Sequence, residues 1–176
     1  KRFLEDKWIS HGADILRAYG IEGLVVVGGD GSLNGGLELS KKGISVMGLP
    51  GTIDNDLAYT DYTIGFDTAV NTVLGLISNV RDTSSSHERT TIIEVMGRNC
   101  GDLALYAGLS GGADVILVPE MKTDINEICR KVLEGQAYGK VHSLLVMAEG
   151  VDFEATELAK TLEHMTGREA RAVVPG

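Results

Sequence analysis

Two aspartate-bearing stretches in this 176-residue chain have residue types and spacing suited to chemistry: "GGDGS", Gly28 to Ser32, directly after the apolar run Leu24 to Val27, and "TIDND", Thr52 to Asp56. Glycine allows positive φ and close backbone approach. Gly28, Gly29 and Gly31 therefore let the chain turn sharply and aim amide N–H groups outward, with a helix N-terminus behind them, as an anion cradle requires. The stretch is not GxxxxGK[ST], and Asn34 stands where the third glycine of GxGxxG would fall. A carboxylate in such a cradle repels phosphate unless a cation lies between, so Asp30 reads as a Mg2+ ligand, direct or through water. The plainer alternative is a strand-to-helix turn with Asp30 or Ser32 as N-cap.

In an extended segment alternate residues share a face about 6–7 Å apart. That would aim Thr52, Asp54 and Asp56 one way, and Ile53 and Asn55 the other. Carboxylates that close shift each other's ionisation and can divide the work, one ligating metal and the other accepting a proton. The alternative is an Asx-rich surface turn. "EVMGRNCGD" sets Arg98 between a buried strand and a helix, where a guanidinium suits a phosphoryl group or pairs with Asp102 one turn on. Met96 also reads as core. His11, His87, His142 and His164 are scattered, without ligand or nucleophile spacing, and read as surface or packing residues.

The elements that must position these groups alternate. Short apolar runs at Leu24 to Val27, Ser45 to Leu49, Thr91 to Val95, Asp114 to Val118, Ser143 to Ala148 and Ala170 to Val174 lack polar alternation and read as strands buried on both faces. Segments of helical periodicity separate them: His11 to Tyr19, Ser32 to Lys42, Phe66 to Val80, Asp102 to Ser110, Asp124 to Tyr138 and Asp152 to His164. The pattern predicts an α/β fold with a mostly parallel sheet and ligands beyond the carboxyl ends of the strands. The polar segment from Gly51 to Gly65 is long enough to separate two lobes. A second polar break, "RDTSSSHER", runs from Arg81 to Arg89.

Composition narrows the partners. A formal net charge of -9 argues against nucleic acid or an anionic membrane bound through a general positive field. Apolar residues make up 43% of the chain, and 23 glycines against three prolines sit at the ends of apolar runs, as turns do. Cys100 and Cys129 form neither CxxC nor a His-paired zinc spacing, which fits a reducing cytoplasm. No apolar stretch approaches a membrane span and no signal peptide is visible. The opening "KRFLEDK", without Met and already helix-like, and the close at "VVPG" suggest a fragment.

"GGDGS", "PGTIDNDL", "YTIGFDTA", "RDTSSSHER", "VMGR", "CGDLAL", "AEG" and "TGREAR", in this order and spacing, closely resemble bacterial 6-phosphofructokinases, from about Tyr19 to Gly176. The resemblance implies a phosphofructokinase-type parallel-sheet α/β fold of two lobes with the active site in the cleft between them. Residues 1–65 would be part of the ATP-binding lobe and 66–176 the fructose 6-phosphate lobe. It implies transfer of the γ-phosphoryl of Mg-ATP to the 1-hydroxyl of fructose 6-phosphate, a step of glycolysis. Asp54 would be the general base, with Thr52 and Asp56 orienting the hydroxyl and metal, and Ile53 beside them in the sugar site. Gly29, Asp30, Gly31 and Ser32 would hold nucleotide phosphates and Mg2+. Met96, Gly97 and Arg98 would bind sugar phosphate and stabilise transferring charge, and Glu149 would accept from sugar hydroxyls. Arg89 and Arg171 would grip the 6-phosphate from a neighbouring subunit of a homotetramer.

An effector site for ADP or phosphoenolpyruvate is implied at Arg81, Gly112, Ala113, Asp114, Lys140, Val141 and His142, although Tyr138 replaces a usual basic residue and Val141 a frequent lysine. Pyrophosphate-dependent relatives typically carry bulkier residues, Asp in place of Gly31 and Lys in place of Gly51, filling space that the α-phosphate and nucleoside of ATP need; two glycines leave that space open and favour ATP. The family's N-terminal ATP loop would precede Lys1 and its "HIQRGG"-type segment would follow Gly176, so the chain alone is expected to be inactive or nearly so. Three alternatives remain. They are a pyrophosphate-dependent phosphofructokinase, a non-catalytic phosphosugar- or nucleotide-binding subunit, and a lipid or NAD kinase, which shares the GGDG turn but not the MGR and TIDND motifs.

Overall fold

The computed structural model describes residues 5–175; the helix-like opening at residues 1–4 and Gly176, the end of the resemblance, lie outside the described residues. The elements run α1 (Asp6–Ala18), β1 (Gly23–Gly28), α2 (Asp30–Lys41), β2 (Ser45–Thr52), β3 (Ile64–Gly65), α3 (Phe66–Ser86), β4 (Thr90–Val95), α4 (Asp102–Gly111), β5 (Val115–Leu117), α5 (Ile125–Ala137), β6 (Ser143–Ala148), α6 (Ala155–Thr166) and β7 (Ala170–Val173). Strand and helix alternate as the apolar runs predict, and every strand pairing is parallel. Two compact units result. The first holds the chain up to Thr52 together with Leu57–Gly65, and the second holds Ile53–Asp56 and the chain from Phe66 onward. The tetrapeptide 53–56 thus groups with the second unit although first-unit residues flank it.

In the first unit the strand order is β1-β2-β3. Leu24 and Val46 turn to one side, onto Ile9 and Ala13 of α1 and Leu39 of α2. Gly36 allows this approach, because a Cβ there would sit 3.1 Å from Val46 and 3.3 Å from Val26. The opposite face is open: Val25 is 62% exposed, Val27 60% and Met47 63%. The expectation of burial on both faces therefore fails for β1 and β2, which this chain covers on one side. β3 was not expected. Its two residues pair with Gly51 and Thr52, so β2 runs to Thr52 and the long connection begins later than the sequence suggests.

In the second unit the order is β5-β6-β4-β7, and here both faces are covered. Leu144, Val146 and Ala148 of β6 pack toward α3 and α4 with Phe66, Ile77, Leu103 and Ala107. Leu145 and Met147, the alternate residues, pack toward α5 and α6 with Ile128, Val132, Leu158 and Leu162. A strand with helices on both sides has no solvent face to mark with polar residues. The expected break at Arg81 is instead the last turns of α3. Thr83 Oγ1 donates to the Asn79 carbonyl (3.3 Å) and Ser86 Oγ to that of Asp82 (3.2 Å), absorbing the hydroxyls that compete with helix elsewhere. Ser84 is buried in hydrogen-bond contact with Thr91 of β4, 2.5 Å.

Candidate functional site

The GGDGS turn closes β1 against β2. Gly28 pairs with Pro50, and a Cβ at Gly28 would lie 2.6 Å from Ser32 Cβ and Oγ, so only glycine lets Ser32 fold back over the strand end. Helix α2 starts at Asp30, earlier than the expected Ser32, with Gly29 as N-cap and no side-chain cap. Asp30 is thus a first-turn residue, and neither it nor Ser32 caps the helix. The Asp30 carboxylate accepts from Asn34 Nδ2 (2.9 Å), on the side chain that replaces the third glycine of a dinucleotide turn. A Cβ at Gly29 would come within 3.4 Å of Thr52, whereas one at Gly31 meets nothing within 4 Å. Gly51 is crowded, since a side chain there would meet Val27 at 2.9 Å. The open space expected at both glycines exists at Gly31 alone.

In the second unit, the segment after Thr52 is not extended as expected. Asn55 has φ +55°, so Asp54 and Asp56 do not share a face by simple alternation: Asp54 is buried and Asp56 exposed. Arg98 Nε lies 3.3 Å from Asp54 Oδ2. The alternative partner, Asp102, instead accepts from Asn55 Nδ2 at 2.7 Å. Arg98 itself has φ +53°, a conformation uncommon outside Gly, Asn and Asp and frequent at functional turns. Glu149 Oε1 holds it there, accepting from the amides of Gly97 (3.1 Å) and Arg98 (2.6 Å). Gly150 makes the approach possible, because any Cβ at that position would collide with the Arg98 carbonyl oxygen. Met96 is half exposed rather than core, and Ile53 is half-buried. Burial pushes the Cys100 thiol up, helped by the carboxylates of Asp102, Glu120 and Asp56. Asp54, Arg98, Gly97 and Glu149 are therefore together, beyond the carboxyl ends of β4 and β6.

Arg89 and Arg171 are not with them. Arg89 precedes β4, and Arg171 on β7 pairs in register with Thr91 near the start of β4. At about 3.3 Å per residue, Arg89 lies about 20 Å along the strand from Val95, and Arg171, opposite Thr91, about 13 Å, both at the end of β4 away from Arg98. Glu169 gathers both cations. Its carboxylate accepts from Arg171 Nε (2.7 Å) and is held below the usual carboxylate range by that hydrogen bond first, then by the charges of Arg171, Arg89 and His87.

At the same amino end lies a cavity of about 420 Å³ lined by Arg81, Gly112, Asp114, Gly139, Lys140, Val141, His142 and Leu144. Lys140 pairs with Asp114, and Arg81 donates to the Gly111 and Gly112 carbonyls at the end of α4. Ala113 is adjacent in sequence, its amide donating to Gly108 (2.8 Å). His142 Nδ1 is buried without a hydrogen-bond partner, and Tyr138 is almost fully exposed. Sequence reasoning missed Glu169, Glu120, whose Oε1 accepts from the Gly101 amide (2.8 Å), and Arg168, which donates to the Lys140 and Val141 carbonyls (3.2 and 2.9 Å). Arg168 and Glu169 stand inside the quoted "TGREAR" stretch, whereas Glu120 adjoins no motif. Among the described residues no three His, Cys, Asp or Glu side chains group as a self-sufficient metal site, and no helix is long and apolar enough to cross a membrane.

Parallel strands alternating with helices, a glycine turn opening a helix, and a carboxylate–arginine pair past the carboxyl ends of the strands place the chain among parallel α/β proteins that work at that end of the sheet. Within that class the chain belongs to the phosphofructokinase family, whose description "PFK: Phosphofructokinase" matches residues 1–176. It is 61% identical over 163 residues to an ATP-dependent 6-phosphofructokinase of Clostridium tetani, covering 93% of this chain and 51% of the relative. It is 60% identical over 174 residues to ATP-dependent 6-phosphofructokinase 1 of Clostridium perfringens, covering 99% and 54%. The chain thus spans about half the length of the curated relatives it matches. Among solved structures it is similar to phosphofructokinase from Saccharomyces cerevisiae, with TM-score 0.89 and 30% identity, covering 99% of this chain and 28% of that one. It is also similar to a pyrophosphate-dependent phosphofructokinase from Marinobacter aquaeolei, with TM-score 0.84 and 25% identity, covering 96% and 47%.

Proposed function

We propose that the protein carrying this chain is an ATP-dependent 6-phosphofructokinase that transfers the γ-phosphoryl group of Mg-ATP to the 1-hydroxyl of fructose 6-phosphate. The observation that carries the reading is the buried Asp54 carboxylate, held 3.3 Å from Arg98 on a rim that Glu149 braces. Asp54 takes the hydroxyl proton as the sugar oxygen bonds to phosphorus and the bond to the β-phosphate breaks, releasing ADP and fructose 1,6-bisphosphate. Arg98 meets the charge spread over the transferring phosphoryl oxygens. Thr52 and Asp56 orient the hydroxyl and the metal, Ile53 and Met96 line the sugar, and the second oxygen of Glu149 accepts from sugar hydroxyls.

Residues 1–65 serve the nucleotide and 66–176 the sugar phosphate, with the tetrapeptide 53–56 carried by the second unit. The first-turn amides near Gly29, Asp30, Gly31 and Ser32 suit phosphate oxygens. Asp30 suits Mg2+, an ion that keeps several waters and takes one or two carboxylates beside the substrate phosphates rather than a protein cage. The ion supplies charge neutralisation on the nucleotide. ATP is the favoured donor because a side chain at Gly31 would enter open space and because the relatives about 60% identical are named ATP-dependent.

Their place at the amino end of β4, about 13 to 20 Å along the strand from its carboxyl end, sets Arg89 and Arg171 apart from a sugar at Arg98 of their own subunit, which supports their action on a neighbour's 6-phosphate in a homotetramer. The cavity at Arg81, Lys140 and His142 suits an anionic effector such as ADP or phosphoenolpyruvate, which would compete with Asp114 for Lys140. The two free cysteines agree with a cytoplasmic protein. In the full-length enzyme Asp54→Asn should lower kcat by about 10² to 10⁴ with little change in KM. Near-normal turnover, or activity with pyrophosphate and none with ATP, overturns the base or the donor respectively.

A further inference from the structure

We infer that Asn55 and Asp102 form a positioning pair that holds Asp54 in place when Arg98 moves onto the phosphoryl group, an inference that rests on reading Asp54 as the base. The tetrapeptide 53–56 groups with the second unit, and two of the side-chain contacts that tie it there bear on the reaction differently. One is the Asp54–Arg98 ion pair and the other the Asn55–Asp102 hydrogen bond, 2.7 Å and part-buried. The first competes with the reaction, because a guanidinium drawn to phosphoryl oxygens gives less to Asp54. The second does not, since neither of its partners is asked to touch substrate.

Its acceptor is well anchored. Asp102 lies in the first turn of α4, where the helix N-terminus favours a carboxylate, and its partner there is the Asn55 amide. The preceding Gly101 donates to Glu120 Oε1 (2.8 Å), and a Cβ on it would strike Val118 and Glu120, so the start of α4 is wedged against the segment leaving β5. The donor is suited as well. Asn55 takes a left-handed φ of +55°, which Asn tolerates better than most side chains, and that turn delivers its amide to α4 while Asp54 stays buried.

In the full-length protein, Asn55→Gly keeps the left-handed backbone without the amide, Asp102→Ala removes the acceptor, and Asp102→Asn retains an acceptor oxygen. The first two should each lower kcat by about 10- to 100-fold, the scale of an ångström-sized misplacement, with KM for both substrates nearly unchanged. Asp102→Asn should recover most of kcat, and the double variant Asn55→Gly/Asp102→Ala should be no worse than the worse single one. Hydrogen exchange at residues 53–56, measured without substrate, should quicken in Asn55→Gly and Asp102→Ala and not in Asp102→Asn. Unchanged exchange in Asp102→Ala, or additive losses in the double variant, overturns the pair. A wild-type protein that makes no fructose 1,6-bisphosphate overturns the kinase reading, while the exchange arm still decides the pair.

Discussion

The two ends of the four-stranded sheet differ in charge and in what fixes their backbone. Past the carboxyl ends of β4 and β6, carboxylates predominate among the described residues: Asp54 and Glu149 contact Arg98, whose backbone Glu149 braces, and Asp56, Asp102 and Glu120 lie near Cys100. At the amino ends cations predominate: Arg81, Arg89, Lys140, Arg168 and Arg171, with Asp114 and Glu169 as their acidic partners. A chain with a formal charge of -9 thus concentrates positive charge at one end of one sheet. Parallel strands sort residues in this way because everything entering a strand lies at one end and everything leaving it at the other. Arg89 and Arg98, nine residues apart in sequence, accordingly lie at opposite ends of β4.

The largest expected difference between the ends is in tolerance of a single methyl group. Gly150→Ala drives a Cβ into the Arg98 carbonyl oxygen. Because the obstacle is backbone, the cost should be about 3 kcal/mol, read as a fall in the urea midpoint together with a fall in activity of the full-length enzyme. Gly139→Ala at the amino end meets nothing within 4 Å but must hold φ +85°, which costs about 1 kcal/mol. Equal midpoints for the two variants would erase the contrast. A smaller effect separates the ligands. Arg81→Ala removes the guanidinium that caps α4 and lines the cavity; if that cavity takes ADP as proposed, ADP binding by the full-length enzyme, measured by calorimetry, should weaken about tenfold, the worth of one charge-assisted hydrogen bond. The KM for fructose 6-phosphate in the absence of effector should stay near the wild-type value. A loss of sugar-phosphate binding instead would place Arg81 in the other site.

How far each part was legible follows from what kind of information it needs. β4 and β6 were read within a residue or so of their ends, because strands buried on both faces are unbroken apolar runs. The same inference overreached for β1 and β2, whose runs are as apolar but whose second face this chain leaves open. β3 could not be seen, since two residues make no pattern. The end of α3 was misread because Ser and Thr signal a break in isolation, whereas here their hydroxyls return to the helix carbonyls and Ser84 is buried against β4. For the site, the order of motifs placed Arg98 and Glu149 at strand exits and Arg89 at a strand entrance. Arg98 pairs with Asp54 while Asp102 takes the amide of Asn55, whose φ is positive, an arrangement that residue types permit but do not dictate.

The finest test of the contrast concerns Glu169, the acid that holds the amino-end arginines. Its carboxyl is held below the ordinary value, first by the hydrogen bond from Arg171 and then by the charges of Arg171, Arg89 and His87. A carboxylate depressed in this way contributes stability that is present above its unfolded pKa and is lost as pH falls through its folded one. The group is fully exposed, so the contribution is small and salt-screened. If Arg171 grips a sugar phosphate as proposed, Glu169 is its competitor, and protonating Glu169 releases the guanidinium. The sugar phosphate itself takes up a proton at about pH 6, above the Glu169 transition, so the comparison is made with its monoanion, whose binding should tighten modestly as pH falls through the Glu169 transition. Arg171→Ala should return the Glu169 midpoint, followed by NMR of the side-chain carboxyl, toward that of an ordinary glutamate, and molar salt should do much the same in the wild type. A midpoint that ignores both changes would mean that Glu169 does not gather these cations, and the charge contrast between the two ends would lose its best-defined member.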